Sequence, residues 1–340
     1  MSSIREVSKR AGVSIATVSR VLSNRGYVSE AARVAVLRAA EELHYIPNVM
    51  ARGLKTKRSG LVALLVPQIV STYFVYAARG IEDVANKNGY HLIICNTDDS
   101  LEKQRAYIDL LIGSSVDGVI VASVNRSPRP LQPLLQRDIP VVLVDRFVDD
   151  FPADIVRGDS INGMKTLTEH LLDLGHRRIA LVNGDMETYP ARDRLVGFQA
   201  ALRERGIVGD DRLVTHGTWL VQDAERRVDE LIRRKVPFSA VLGANSFMSV
   251  GAMRALRRHG FAVPGDIALA GFDDVEIASD LDPFLTVLTQ PVYTMGSFAM
   301  NMLLERMNES YSGPPRDVVL APWLIVRRSS GARVSVDEEA

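Results

Sequence analysis

The chain of 340 residues has a single cysteine, Cys95, so no disulfide can form within it. One thiol fits a reducing cytoplasm, although a periplasmic protein can also lack disulfides. No apolar run approaches the ~18 residues that a membrane-spanning helix needs. The first ten residues are polar and charged, so we expect no secretory signal peptide and a cytoplasmic location.

Charge of one sign is also not in excess, because 41 Lys and Arg balance 41 Asp and Glu. Aromatic residues make up only 6% of the chain, whereas hydrophobic residues make up 46% and charged residues 24%. These values are ordinary for a globular protein and exclude a disordered chain, a collagen-like repeat and a coiled-coil rod. The length allows roughly two or three domains.

The balanced total conceals an uneven distribution of charge. Residues 1–60 contain eleven Lys and Arg against four Glu, a net charge of +7, which leaves −7 for the remainder. A small basic segment before a large acidic one is typical of a nucleic-acid-binding module. The alternative interpretation is a solvated basic surface with no partner.

Three short helical patterns follow one another in the basic segment. Ser3 and Ser14 are natural N-caps for the first two helices, and Gly12 predicts the turn between them. A third helix begins after Ser29. The residues expected to face inward are Ile4, Val7 and Ala11, then Val18, Val21 and Leu22, then Val36, Leu37, Ala40 and Leu43. This arrangement predicts a helix-turn-helix, whose second helix points its N-terminal residues at base edges in the major groove.

Residues 4–22, IREVSKRAGVSIATVSRVL, resemble the signature of the lactose-repressor (LacI) family of bacterial transcription regulators. The segments YVS at 27–29, HYIPN at 44–48 and ARGL at 51–54 continue the resemblance, which extends to about Arg328. The resemblance implies a ligand-responsive regulator, a repressor by family default, that binds a pseudo-palindromic operator as a homodimer.

The resemblance also implies which residues contact DNA. Ile15, Ala16 and Arg20 take the base-reading positions, where apolar side chains favour thymine methyls and arginine can grip guanine. Hydroxyl and amide donors suited to phosphates are Ser14, Thr17, Ser19 and Asn24. Thr17 and Ser19 have an alternative role as local caps or solvated side chains.

Residues 48–55 correspond to the family's hinge helix. The resemblance places Asn48, Leu54 and Lys55 at the DNA, with Leu54 wedged into a base step of the minor groove. Gly53 departs from the expected serine and costs the helix ~1 kcal/mol relative to alanine. The implied domains are a helix-turn-helix domain at 1–47, a hinge and linker at 48–59, an effector-binding and dimerisation core at 60–328 and a polar tail at 329–340. The tail has no apolar heptad, so we expect a dimer without an added coiled coil.

The acidic remainder alternates strand-like and helical patterns. Apolar strand-like runs occur at 61–66, 91–95, 118–122, 141–144, 178–182, 240–242, 267–270 and 318–321. Amphipathic helical stretches lie at 73–88, 101–113, 161–174, 191–206, 221–234, 246–258 and 292–307. Such runs predict an α/β fold with parallel sheets covered on both faces, in two similar lobes. The resemblance implies a type I periplasmic-binding-protein-like core, with two lobes joined by three crossovers.

The sequence shows no constellation of an enzyme. No G-x-G-x-x-G follows a strand, and neither a Walker loop nor a G-x-S-x-G elbow is present. The six histidines lack metal-ligand spacing with Cys95 or one another, so we expect no metal and no cofactor. His170 and His176 are expected to form hydrogen bonds at the surface or between the lobes. A hydrolase triad stays an alternative because its members need not be adjacent in sequence.

Candidate ligand-binding residues follow the strands, where open α/β sheets bind their ligands. Asp98, Asp145, Asn245 and Asp273 each come directly after a strand-like run. The effector positions that the family resemblance implies are Tyr73, Phe74, Asp145, Asp159, Arg194, Trp219, Asn245, Asp273 and Gln290. Their planar polar groups suit hydroxyls or ring nitrogens, and Trp219 suits stacking.

Several alternatives stay open at this point. Trp219 could only pack in a lobe core, and Asp273 could serve a turn. Ser246 departs from the aspartate that usually follows the asparagine at 245. A sugar or sugar derivative is the first choice of effector, with a purine or a partner protein as alternatives. A periplasmic-type sugar-binding protein would share the core but would need a signal peptide and no basic module. Operator and effector are expected to change each other's affinity by the same factor.

Overall fold

The computed structural model describes residues 3–22, 26–45, 58–274 and 282–332. The chain divides into two compact units, residues 1–60 and residues 61–340. Asn24, Asn48, Leu54 and Lys55, and with them the expected hinge helix, lie outside the described residues. No helix among the described residues has both the length and the apolar character needed to cross a bilayer.

The described residues of the first unit form three helices: α1 (Ile4–Ala11), α2 (Ile15–Leu22) and α3 (Glu30–Glu42). Ser3 and Glu6 form a reciprocal capping box at the start of α1, and Gly12 ends that helix with a left-handed φ of 67°. Backbone groups at both ends of α1 therefore find hydrogen-bond partners within the neighbouring residues, and the chain turns at Gly12 into α2.

The core of the first unit contains Val7, Val18, Val21 and Val36, all buried. The sequence placed Leu37 in this core, but its exposed fraction is 50%. On α3 the inward face carries Val36, Ala39 and Ala40. Leu37 is turned by about 100° from Val36 around the helix axis and therefore falls at the edge of that face.

The second unit consists of two lobes, each built on a six-stranded sheet. The strand order is β11-β5-β4-β3-β1-β2 in lobe 1 and β12-β10-β9-β8-β6-β7 in lobe 2. The strands are β1 (Leu61–Val66), β2 (His91–Asn96), β3 (Gly118–Val121), β4 (Val141–Val144), β5 (Asp154–Gly158), β6 (Ile179–Asn183), β7 (Val214–His216), β8 (Ala240–Gly243), β9 (Ala268–Phe272), β10 (Thr286–Thr289), β11 (Asp317–Leu320) and β12 (Trp323–Ile325). All pairings are parallel except that of β10 with β12.

Helices cover both faces of each sheet. They are α4 (Thr72–Lys87), α5 (Leu101–Gly113), α6 (Gln132–Leu135), α7 (Ser160–Asp173), α8 (Tyr189–Glu204), α9 (Val221–Arg233), α10 (Ser246–Arg258) and α11 (Val292–Met307). In β1, Val62 and Leu64 pack on the side of α4 and α11, whereas Ala63 and Leu65 pack on the side of α5 and α6. Burial on both faces explains why this strand is a continuous apolar run.

The chain crosses between the lobes three times. It passes from β5 in lobe 1 to α7 in lobe 2, then from β10 back to α11 on lobe 1, and finally from β11 to β12. Consequently α11 packs against α4 although more than 200 residues separate them, as in the hydrogen bond from Tyr293 to Asp83. The expectation of two parallel-sheet lobes joined by three crossovers is confirmed.

Candidate functional site between the two lobes

A cavity with a volume of about 40 Å³ lies between the carboxyl ends of the two sheets. Both lobes contribute to its wall, as the strand-end rule requires. The expected residues that line it are Tyr73, Phe74, Asp145, Arg194, Trp219, Asn245 and Asp273. So small a volume holds only a few water molecules, so a ligand the size of a sugar requires the lobes to separate.

Asp145 and Asp273 occupy equivalent turns in the two lobes. Asp145 follows β4 and Asp273 follows β9, with φ of 63° and 65° respectively. Each turn is anchored to the neighbouring strand, because Asp145 N donates to Val156 O at 2.9 Å and Asp273 N donates to Leu288 O at 2.8 Å. Aspartate tolerates this left-handed conformation better than most residues, and both side chains reach the cavity.

Arg194 on α8 is the cation closest to Asp273, with 3.8 Å between Nη2 and Oδ2. Its guanidinium lies over the Phe272 ring, 3.9 Å from the ring centre, and 5.8 Å from the centre of the Trp219 ring. Nη1 donates to Ala244 O, whereas the buried Nε has no hydrogen-bond partner among the residues that the structure describes. The guanidinium is thus fixed by stacking and one carbonyl, with donor capacity left over.

Trp219 packs against Gly184 at the edge of the cavity. A Cβ on Gly184 would lie 2.3 Å from the indole ring, so only glycine allows the ring to take this position. The indole is 5% exposed, and its buried Nε1 has no hydrogen-bond partner within the described part of the chain. Trp219 therefore belongs to the core of lobe 2 and also lines the cavity.

Burial makes the cavity unfavourable for negative charge. It raises the pKa of Asp273 to about 6, with opposition from Arg194 and from Gln290. Burial likewise raises the pKa of Asp145, against the effects of Arg194, Arg146 and the Tyr73 hydroxyl. Arg146 is also paired with Asp99 and donates to Ser123 O at 3.2 Å, so its charge is shared with a third carboxylate. Two carboxylates facing essentially one arginine favour a neutral ligand that donates hydrogen bonds.

Three expected residues, Asp98, Asp159 and Gln290, do not line this cavity. Asp98 follows β2, the edge strand of lobe 1, and its exposed carboxylate pairs with Lys103 and accepts from Asn96 at 2.7 Å. Asp159 caps α7 by accepting from the Asn162 backbone at 3.0 Å. An edge position and a helix cap each direct these carboxylates away from the sheet centre.

Gln290 acts on the cavity through Asp273. Its Nε2 donates to Asp273 Oδ1 at 2.6 Å, and the side chain lies against Gly158 at the first crossover. A Cβ on Gly158 would come within 1.7 Å of Gln290 Oε1. Gln290 is therefore a positioning residue that fixes the orientation of the Asp273 carboxylate.

Several lining residues were not predicted from the sequence: Pro67, Gln68, Ser71, Arg146, Pro190, Ser246 and Phe247. Most of them could have been found by extending the strand-end rule by a few positions, since Pro67 and Gln68 follow β1 and Ser246 follows β8. Pro190 is the exception, because it lies in the first turn of α8 and no strand precedes it directly. Asn245 both lines the cavity and caps α10, accepting from Met248 N at 2.9 Å.

The described residues contain no group of three or more His, Cys, Asp or Glu side chains that could hold a metal ion. His170 and His176 instead contact serine hydroxyls, of Ser330 and Ser239 respectively, each at 2.9 Å. Both contacts lie within lobe 2, where burial lowers the pKa of each histidine.

In the first unit, α2 exposes Ile15, Ala16 and Arg20. Ser14 caps this helix, since its Oγ accepts from Thr17 N at 3.1 Å and lies 2.9 Å from Thr17 Oγ1. The two hydroxyls expected at phosphates are thus joined in a local cap, the alternative that the sequence left open for Thr17. Ser19 is half-buried.

Two family models match separate segments of the chain. Residues 3–48 match the family of bacterial regulatory proteins of the lacI type, and residues 168–330 match a periplasmic binding protein-like domain. The ribose operon repressor of Halalkalibacterium halodurans is 36% identical over 91% of this chain and 91% of that protein.

Two solved structures resemble the whole chain. The lac repressor dimer bound to operator and the anti-inducer ONPF has a TM-score of 0.83 and 26% identity, over 97% of this chain and 99% of that one. The transcriptional regulator CelR in complex with cellobiose has a TM-score of 0.73 and 30% identity, over 97% of this chain and 100% of that one.

Proposed function

Because this chain belongs to the lacI family of bacterial regulatory proteins, and so is a DNA-binding transcriptional regulator, we propose that it represses its target genes as a dimer on a pseudo-palindromic operator. We propose further that a neutral sugar or sugar derivative, bound in the cavity between the lobes, sets its affinity for the operator. The residues that would hold this ligand are Tyr73, Phe74, Asp145, Arg194, Trp219, Asn245 and Asp273.

One observation carries the choice of a sugar. Asp145 from lobe 1 and Asp273 from lobe 2 line the same cavity as the indole of Trp219. Carboxylates accept hydrogen bonds from vicinal hydroxyls, and a flat indole face packs against the apolar face of a sugar ring. The names of a ribose operon repressor and of a CelR–cellobiose complex among the relatives support this choice.

A purine is the alternative ligand, because Trp219 also offers a stacking face for a base and Asp273 an acceptor for its amino group. A phosphate or carboxylate on the ligand would meet two buried carboxylates, which disfavours nucleotides and sugar acids. The comparison of free bases with neutral sugars therefore separates the two ligand classes.

Control of DNA binding follows as linkage. Asp145 and Asp273 lie on different lobes. A ligand that contacts both therefore binds more tightly to one relative position of the lobes than to another. If the operator also prefers one arrangement, each ligand changes the affinity of the other by the same factor. A ligand that weakens operator binding is an inducer, and one that strengthens it is a corepressor.

On the DNA side, we propose that α2 enters the major groove with Ile15, Ala16 and Arg20 toward the bases. Apolar Ile15 and Ala16 would contact thymine methyls, and Arg20 would donate to guanine. The remaining expected contacts, from Ser14, Thr17, Ser19, Asn24, Asn48, Leu54 and Lys55, stay part of this proposal as phosphate or minor-groove contacts.

The test uses fluorescence anisotropy of a labelled pseudo-palindromic duplex taken from upstream of the gene. Operator affinity should fall steeply with salt and should change when a neutral sugar is added. Failure of the folded protein to prefer such a duplex over random DNA would refute the proposed function. A response to free purines but not to any sugar would replace the ligand and leave the repressor in place.

Arg20→Ala tests the base-reading role within the same assay. We expect operator affinity to fall by about 1–3 kcal/mol, with relaxed preference at one base pair. Arg38→Ala is the matched control, because Arg38 on α3 is highly exposed and pairs only with Glu42 among the interactions that the described residues show. Equal losses in both variants would indicate a general charge effect and contradict the assignment of Arg20.

A further inference from the structure

A second cavity lies in the same cleft, directly beside the first. Its volume is about 280 Å³, compared with about 40 Å³ for the first, and Asp145 and Pro190 line both. Phe147 and Arg157 of lobe 1 and Asp193 of lobe 2 complete opposite parts of its wall. The second cavity is therefore an extension of the proposed ligand site and not a separate depression elsewhere on the surface.

We propose that the effector site has two chambers, and that the second accepts a further sugar unit. The effector is then an elongated neutral saccharide, such as a disaccharide or a glycoside, and not a single monosaccharide. This inference rests on the proposed function, because it extends the site assigned there to the small ligand.

Two aromatic side chains, Phe147 and Tyr189, form part of the wall of the second chamber. Phe147 and Tyr189 meet edge to face, with 5.1 Å between ring centres. The Tyr189 hydroxyl donates to Asp149 at 2.7 Å, and the Arg126 guanidinium lies 5.5 Å from the ring centre. Phe147 and Asp149 follow β4 in lobe 1, whereas Tyr189 begins α8 in lobe 2, so these contacts hold the tyrosine across the cleft in the present arrangement of the lobes.

A polar edge in the second chamber supplies both kinds of hydrogen bond. The half-buried carboxylate of Asp193 accepts no hydrogen bond from the described part of the chain, although it lines the cavity. Arg157 donates to Asp317 through Nε at 3.0 Å and Nη2 at 2.9 Å, which leaves Nη1 without a hydrogen bond to the described residues. An acceptor and a fixed donor beside apolar rings suit the hydroxyls and the ring face of a pyranose or furanose.

The charges in this chamber also select against anions. Arg157 pairs with Asp317, so Asp145 and Asp193 are the carboxylates of the lining that have no ion pair within 4 Å in the described part of the chain. Burial raises the pKa of Asp193, against the effects of Arg157 and Arg194. A phosphate or carboxylate on the far end of the ligand would add to this unfavourable negative charge.

The first experiment is calorimetric titration of the full-length protein with glucose, galactose and ribose and with cellobiose, maltose, lactose and sucrose. The two-chamber site predicts at least one disaccharide that binds about tenfold or more tightly than each of its component monosaccharides, because the second unit adds hydrogen bonds to a charged group. A monosaccharide that binds as tightly as every disaccharide would overturn the inference and leave the proposed function intact.

Two variants test the second chamber itself. Ile161 lines only the second cavity, so Ile161→Trp should fill it and lower disaccharide affinity about tenfold or more. Monosaccharide affinity should stay within about twofold of the wild-type value, since the first chamber is unchanged. Asp193→Ala should act in the same direction without adding bulk, and it keeps the test valid if Ile161→Trp does not fold.

Val196→Trp is the matched control, because Val196 is 50% exposed on α8 and lines neither cavity. Loss of disaccharide affinity in this control to the same extent as in Ile161→Trp would contradict the second chamber. Binding of no sugar of either length would contradict both this inference and the choice of a sugar as effector. The two failures are therefore distinguishable.

Discussion

The two lobes share one strand order, yet they surround their equivalent aspartates with different side chains. In lobe 2, Gln290 donates to Asp273 at 2.6 Å, and Arg194 lies 3.8 Å away. In lobe 1, the Tyr73 hydroxyl donates to Met295 Sδ at 3.8 Å and lies near Asp145, and burial with the nearby carboxylates raises the pKa of Tyr73 well above its ordinary value. The repeated topology supplies two carboxylates at strand ends, and the surroundings make them unequal.

The difference indicates which aspartate is held in a fixed orientation before a ligand binds. Asp273 is held by a glutamine that itself lies at a crossover between the lobes, so its orientation depends on the position of that segment. Asp145 lies between the two chambers and lines both. We therefore expect Asp273 to determine affinity and Asp145 to adapt to the ligand that spans the cleft.

The largest effect should come from exchanging the two aspartates for asparagine separately. Asp273→Asn should lower effector affinity about 100-fold, because it removes a charged acceptor and leaves buried Arg194 without its anion. Asp145→Asn should lower it about tenfold, since no arginine of the described residues lies within ion-pair distance of Asp145 and the asparagine oxygen still accepts hydrogen bonds. Calorimetry with the tightest-binding sugar measures both. Equal losses would remove the distinction between the lobes.

The next effect concerns the aromatic wall, which lobe 2 provides through Trp219. Trp219→Ala should lower effector affinity about tenfold through lost stacking and buried area. The chain has two tryptophans, and Trp323 is 49% exposed on β12, so Trp323→Ala is the matched control. In the wild-type protein the effector should quench the fluorescence of Trp219. Quenching that persists in Trp219→Ala would contradict its place in the site.

A smaller, pH-dependent effect follows from the raised pKa of Asp273, about 6. Protonation is favoured in the folded state, so this group stabilises the fold fully at low pH, and the stabilisation is lost as pH rises through about 6. Effector binding needs the charged form, so affinity should fall several-fold to about tenfold between pH 7 and pH 5. Denaturant unfolding and calorimetry across this range measure the two trends. Asp273→Asn should flatten both, and unchanged trends in that variant would assign them to another group.

The smallest effect should be that of Asp98→Asn. Asp98 also follows a strand of lobe 1, but its carboxylate is exposed and engaged by Lys103 and Asn96. Effector affinity should stay within about twofold of the wild-type value, since surface ion pairs of this kind contribute little. A loss comparable with that of Asp145→Asn, in the same titration, would mean that the site extends to the edge strand.

Much of the fold was predictable because its strongest signals are local. The limits of β1, β4, α5, α10 and α11 agree with the sequence patterns, since each has a clear apolar period and a clear end. Four strands, β5, β7, β10 and β12, were not predicted from the sequence. β7 and β12 are short edge strands whose residues are half-exposed or exposed. In β5 and β10, only two apolar residues stand between polar residues or glycine, which is too short a run to predict a strand.

The site was predictable to the extent that it follows from strand ends and family resemblance. Asp145, Asn245 and Asp273 line the cavity for that reason. Asp98 follows a strand as well, but the sequence does not show that β2 is an edge strand, which only the pairing order reveals. Gln290 contacts Asp273 instead of the cavity because of the close approach at Gly158, which depends on the arrangement of the crossovers.

Operator affinity with and without the tightest-binding sugar shows whether the cavity between the lobes controls DNA binding, in the wild-type protein and in Asp273→Asn. Fluorescence anisotropy with the same duplex measures all four values at one salt concentration. We expect the sugar to change operator affinity about tenfold or more in the wild-type protein, and the same sugar concentration to have little effect in Asp273→Asn. An equal response in both proteins would contradict control of the operator from the cavity between the lobes.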